Sequence, residues 1–280
     1  MAARIRVVLG VAAFIFCTGF GSGERLFAQS ADLWNRWQAH DGASTKVIDH
    51  STWEFLLKTL VVPGSDRVAL FRYGAATKAH RQMLSGYVKA LTALPISTYN
   101  RAEQMAYWIN LYNALTVKVV LDHYPVKSIR DIDISPGFFS DGPWGKNLVR
   151  VEGEDISLND IEHRILRPIW RDNRVHYAVN CASIGCPNLQ VRAYGGDSLN
   201  DMLDTAAKAY INSSRGVAIK DGTITVSKIY DWFIADFGND EKSVLAHLTK
   251  FATPALRRQL SGIEKIDDVA YDWRLNGVWE

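Results

Sequence analysis

The sequence predicts a single α+β domain behind an export signal, with a buried central helix packed on a small, mainly antiparallel sheet. Three observations carry this. The stretch RAEQMAYWINLYNALTVKVVLDHY is apolar around nearly its whole circumference, as a helix is when it is covered on every side. In VAIKDGTITV, Asp221-Gly222 sits between alternating residues, which favours a two-residue primed turn and hence a hairpin. No stretch is rich enough in Pro, Gly or Ser to be a linker, and no segment repeats. With 48% hydrophobic and 22% charged residues in a chain of 280, a substantial core can form and wholesale disorder is excluded.

Residues 1–28 read as a secretory signal. Arg4 and Arg6 precede an uncharged stretch from Val7 to Ser22, and Glu24, Arg25 and the small residues Ala28, Ser30 and Ala31 follow. The apolar stretch contains three glycines and falls short of the ~20 residues of a spanning helix, so stable membrane insertion after cleavage is not expected. Cys17 follows Phe16 rather than a small residue, which argues against lipidation. The expected destination is the periplasm or the medium. Removing the signal leaves 29 basic and 29 acidic side chains, and without a cationic run a nucleic-acid partner is not expected.

Residues 29–99 are expected to form a helical extension of the domain. Trp34 and Trp37 are spaced for one helical face, Ser51 caps a helix over STWEFLLKTL, RVALFRY alternates like a strand, and Lys78 to Leu94 is amphipathic up to Pro95. From residue 100 onward, Asn100 caps the central helix and NLVRV-EGE-DISL suggests a hairpin. Ser157 then caps a helix that Pro168 closes. VHYAVN (175–180) alternates like a strand that would join the sheet, placing His176, Ala178 and Asn180 on one face. A helix over 199–212, helices around Trp232, Leu245 and Leu256, and a strand-like run over 266–275 complete the chain.

The chemistry concentrates in HYAVNCASIGCP. Cys181 would end the strand, with His176 nearby in the chain and the loop amides from Ala182 to Gly185 available for an oxyanion, the outline of a thiol nucleophile. Five extended residues span roughly 16 Å, so His176 reaches Cys181 only if the chain folds back. Three other readings compete. Cys181 and Cys186 can form a disulfide, which export favours, or they can be buried small apolar residues. Metal binding lacks a second paired cluster and is the weakest, so neither a metal nor another cofactor is expected. Asn110 and Asn113 share one face of the buried helix and must find partners, either orienting a catalytic imidazole or holding an irregular loop. Glu103 and Gln104 read as ordinary first-turn capping, Glu162 as an exposed partner of Arg167, and His163 as a surface residue. The phosphate-loop, dinucleotide, zinc-protease and serine-hydrolase signatures are absent.

AYWINLYNALTVKVV, SLNDIEHRILRP, RVHYAVNCASIGCPNL, ITVSKIYDWFIADFG and YDWRLN, in that order, resemble successive blocks of the DUF547 family over about Glu103 to Asn276, within a DUF547-like domain over 100–280. The resemblance implies exported bacterial proteins and plant proteins without a settled activity, and a general plan like that of papain-like or transglutaminase-like thiol enzymes. It marks Asn110, Asn113, His176, Cys181, Tyr271, Asp272, Trp273 and Asn276, while Cys186 matches a less uniform position, which favours Cys181 as the important thiol. His176 precedes Cys181, a departure from papain-like order. Two functions follow as expectations. One is a thiol-dependent hydrolase or acyltransferase acting on an amide or thioester in the envelope, with Cys181 as nucleophile, His176 as base and Asn110 as orienter. The other is a non-catalytic module with a Cys181–Cys186 bond that binds an envelope peptide, protein, glycan or small molecule. Supporting roles at the site fall to Asn113, Asn180, Cys186 and the 271–276 block.

Overall fold

A computed structural model describes residues 29–136 and 142–278; the signal predicted over 1–28 lies outside the described residues. Helices α1 (Ser51–Leu60), α2 (Lys78–Thr92) and α3 (Arg101–His123) open the fold, with a short antiparallel pair, β1 (Val61–Pro63) and β2 (Ala69–Phe71), between the first two. A second pair, β3 (Val149–Val151) and β4 (Glu154–Ile156), precedes a helix that is π-wound over Asp160–Leu166 and continues as α4 (Arg167–Trp170). After α5 (Leu199–Ile211) comes a three-stranded sheet, β5 (Val217–Lys220), β6 (Thr223–Ser227) and β7 (Asp268–Ala270). Helices α6 (Ile229–Trp232), α7 (Glu241–Phe251) and α8 (Pro254–Leu260) lie between β6 and β7 in the chain. The result is an α+β architecture with small sheets, as the patterning predicts.

Local chemistry explains most boundaries. Asn100 caps α3 by accepting from the Glu103 amide, and 18 of the 23 helix residues are buried, matching the expected apolar circumference. Both hairpin turns put two successive residues at positive φ, Glu152 and Gly153 at 45° and 90° and Asp221 and Gly222 at 50° and 80°, the primed geometry that suits strand twist. Ser51 is the first residue of α1 and not its cap; its amide donates to the Asp49 carboxylate instead. Pro168 sits inside the helix rather than closing it. It has no N–H to give the preceding turn, and the carbonyls of His163 and Arg164 there accept from the amides of Asp32 and Trp34.

Two expectations about the sheet fail. Residues 175–180 are not a strand: Asn173–Tyr177 form a 3-10 turn and the chain then loops. The segment alternates because it is buried on several sides, and its backbone is satisfied by local turns and side chains rather than by a ladder. Nor does α3 pack on the sheet. It sits in one apolar cluster with α1, α2 and the π-wound helix, whereas the sheet closes a second cluster with α5, α7 and α8. Residues from Trp37 to Leu91 share the first cluster with α3, so the segment before residue 100 is integral to its core. No described helix is long and apolar enough to cross a membrane.

Candidate functional site

The seam between the two clusters holds the 178–187 loop, and a relay of asparagines fixes it. Asn113 on α3 donates to the Ala178 carbonyl at 2.9 Å and accepts from the Asn180 amide at 2.8 Å. Asn180 in turn accepts from the Ala182 amide at 2.9 Å and donates to the Pro187 carbonyl at 2.6 Å. Asn276 bonds the Ala182 carbonyl through its amide and receives the Tyr73 hydroxyl on its side chain. Together these hold Ala182 at a φ of 57°. Asn110 brackets a different strand of chain, donating to the Tyr194 carbonyl and accepting from its amide, and therefore orients a loop and not His176. Glu103 and Gln104 behave alike: buried, they receive the Ile48 amide and reach the carbonyls of Ala39 and Ile96, in place of simple capping.

Cys181 and Cys186 are disulfide-bonded, with Cα atoms 6.2 Å apart. The Tyr271 hydroxyl lies 3.0 Å from Cys181 Sγ, and burial raises its pKa, so it stays a neutral donor. Three of the four loop amides expected to form an oxyanion hole are committed elsewhere: Ala182 to the Asn180 side chain, Ile184 to the Arg274 carbonyl and Gly185 to the Asp272 carbonyl. Close approach explains the glycine, since a Cβ at 185 would sit 2.7 Å from the Asp272 nitrogen. The Asp272 side chain itself pairs with Arg274.

An open cavity of about 850 Å³ is lined by Cys181, Cys186 and His176, with Trp144, Trp232, Phe233, Tyr271 and Trp273 as aromatic walls. Its floor is ionisable. His176, buried and stacked on Phe233 with ring centroids 4.4 Å apart, has Nε2 2.7 Å from Asp236 Oδ2 and Nδ1 3.9 Å from Glu162 Oε1. Arg167 donates to the same Asp236 oxygen at 2.6 Å. Burial alone would raise the Asp236 carboxyl, but the hydrogen bonds from His176 and Arg167 outweigh it and bring its pKa to about 2. Burial lowers His163 to about 4, and its Nδ1 accepts from Arg167 at 3.0 Å, as a neutral ring can. Burial, with Glu162 adding to it, holds the Tyr112 hydroxyl's pKa well above its ordinary value.

Sequence reasoning placed Glu162 and His163 on the surface and gave Arg167 to Glu162. Both of the first two are buried and line the cavity, and Arg167 pairs with Asp236 instead. The π-winding explains the error, because an extra residue per turn rotates these side chains off the face that 3.6-residue spacing assigns. Asp236 went unnoticed in FIADFG; the only signal was a carboxylate among aromatic residues. Of the expected site residues, His176, Cys181, Cys186, Tyr271 and Trp273 share the cavity, whereas Asn110, Asn113, Asn180, Asp272 and Asn276 do not line it. No group of three or more His, Cys, Asp or Glu residues suited to a metal ion occurs among the described residues.

Residues 96–211 match the family described as Protein of unknown function, DUF547. The matched stretch carries α3, the π-wound helix, His176 and the disulfide loop, and stops before Asp236 and the 271–276 block. No curated protein and no solved structure matches the chain.

Proposed function

We propose that this chain with its DUF547 segment is an exported thiol enzyme of the cell envelope, a hydrolase or acyltransferase acting on an amide or thioester. The observation that carries the reading is that one cavity presents the Cys181 sulfur together with a histidine held by a carboxylate, His176 by Asp236. A ring that donates Nε2–H to Asp236 keeps a lone pair on Nδ1, the nitrogen that faces Glu162. With the disulfide open, that nitrogen would take the Cys181 proton, the thiolate would attack the acyl carbon, and the imidazolium would return the proton to the leaving amine or thiol. Tyr271 would donate to the oxyanion in place of the committed loop amides. Asp236 replaces Asn110 as the orienter. The papain-like or transglutaminase-like plan enters as an analogy for such a cysteine, histidine and aspartate set.

The test uses full-length reduced protein and an activated thioester. An acyl adduct on Cys181 that becomes at least about tenfold slower in His176→Ala supports the reading. An adduct indifferent to His176, or none at all, overturns it and leaves a peptide- or glycan-binding module. That second reading draws on the disulfide and the aromatic walls; retained peptide or glycan binding by the oxidised protein, with no acyl adduct after reduction, favours the module.

A further inference from the structure

The two sulfurs of the disulfide have different surroundings. Cys181 is partly exposed and opens on the cavity, whereas Cys186 is only 4% exposed. The backbone donor at the bond favours charge on Cys186. Its sulfur receives the Cys181 backbone N–H at 2.9 Å, while the Tyr271 hydroxyl lies within reach of both sulfurs, 3.0 Å from Cys181 Sγ and 3.3 Å from Cys186 Sγ. Behind it Arg215 grips the carbonyls of Ile184 and Cys186 at 3.0 and 2.6 Å, placing a guanidinium beside the residue. A disulfide exchanges fastest when one sulfur is accessible to a thiolate and the other leaves as a stabilised thiolate. A purely structural bond requires neither property.

We infer that Cys181–Cys186 is a thiol–disulfide exchange centre, attacked at Cys181 by a thiol that enters the cavity, with Cys186 as the leaving sulfur. In the first step a substrate thiolate bonds to Cys181 Sγ, the Cys181–Cys186 bond breaks, and its electron pair leaves on Cys186. In the second step another thiolate attacks the substrate sulfur of the mixed disulfide and releases Cys181 as a thiolate. The protein gains two electrons and two substrate thiols become one disulfide. A dithiol can supply both sulfurs. The inference shares the cavity with the proposed function but does not depend on acyl transfer, and for an acyl-transferring enzyme it supplies the step that frees Cys181.

The experiment takes oxidised, full-length processed protein, adds reduced glutathione or a reduced cysteine-containing peptide, quenches in acid and locates the adduct by peptide mass spectrometry. The thiol should be found on Cys181 at least about tenfold more often than on Cys186. Cys186→Ser, which has no resolving sulfur, should form the Cys181 mixed disulfide with oxidised glutathione, releasing one reduced glutathione, and should keep it. Tyr271→Phe removes a donor within reach of both thiolates of the reduced pair and should shift the glutathione equilibrium about tenfold toward the disulfide, about 30 mV for a two-electron couple. Faster reaction of the peptide identifies protein thiols as the substrates, and equal rates identify small thiols. Attack at Cys186, or no mixed disulfide until urea unfolds the protein, overturns the inference. An acyl adduct with no exchange would sink this inference alone; exchange with no acyl adduct would sink only the acyl-transfer reading.

Discussion

Two sets of buried polar side chains lie on either side of the 178–187 loop, and they differ in what they leave open. The asparagines of α3 are turned to backbone: Asn110 and Asn113 each donate once and accept once, in all four cases with loop backbone. The floor cluster of Glu162, His163, Arg167, His176 and Asp236 is held together internally, but three of its members also face the cavity. Both sets incur a desolvation cost that hydrogen bonds offset. Only the second opens on the cavity. Buried polarity turned to backbone therefore marks where a fold is fixed, and buried polarity that faces a cavity marks where it can do chemistry.

The largest expected effect tests that contrast with acid. His163 is lowered to about 4 by burial, as are His50 beside Tyr87 and His247 beside Tyr177. A histidine whose folded pKa lies below its unfolded 6.5 contributes stability that is full above about pH 6.5, falls as the pH drops, and is exhausted below about 4. Each is worth on the order of 3 kcal/mol over that window. Urea midpoints measured at pH 7, 6 and 5 should drop steeply. The asparagine brackets do not titrate, so Asn110→Ala should keep the slope while His163→Gln should lose about a third of it. An unchanged slope in His163→Gln would remove the floor cluster from this account.

Asp236→Asn is expected to cost about 3 kcal/mol, since it leaves the Arg167 guanidinium, 3% exposed, without its carboxylate. It should also disturb His176, which the same oxygen holds. In reduced protein, Cys181 alkylation should therefore change its pH profile, a response that a purely structural Asp236 would not give. Asn113→Ala comes next, at about 2 kcal/mol, because it strands the Ala178 carbonyl and the Asn180 amide inside the core. Its effect on that pH profile should be small. A matched pair of profiles would collapse the distinction between the two clusters.

The sequence made these regions legible to different degrees. The burial of α3, its Asn100 cap and both hairpins follow from local pattern, because helix period and turn chemistry act over a few residues. The need of Asn110 and Asn113 for partners was equally visible, and the bland expectation that they hold irregular loops describes their contacts. What pattern hides is anything set by distant chain. The 175–180 segment has strand-like alternation but no strand partner. Asp236 meets His176 from 60 residues away, and the π-winding that turns Glu162 and His163 inward has no period of its own in the sequence. Cys181 was found by its residue type; its immediate partners, Tyr271 and the Cys186 sulfur, required the fold.

The smallest effect concerns the disulfide itself. Closing a loop of only about six residues removes little freedom from the unfolded chain, so the chain-entropy argument gives the Cys181–Cys186 bond about 2 kcal/mol. The loop has other anchors: the Asn113 and Asn180 side chains hold its backbone, the Tyr210 hydroxyl donates to the Gly185 carbonyl, and Arg215 donates to the Ile184 and Cys186 carbonyls. Reduction should therefore lower the urea midpoint modestly and leave the fold intact, with the near-ultraviolet signal of the surrounding tyrosines and tryptophans preserved. A protein that unfolds on reduction at pH 7 would make the bond the main support of the loop. The asparagine relay would then be the secondary set, and the division between fixed and open polar groups would have to be redrawn.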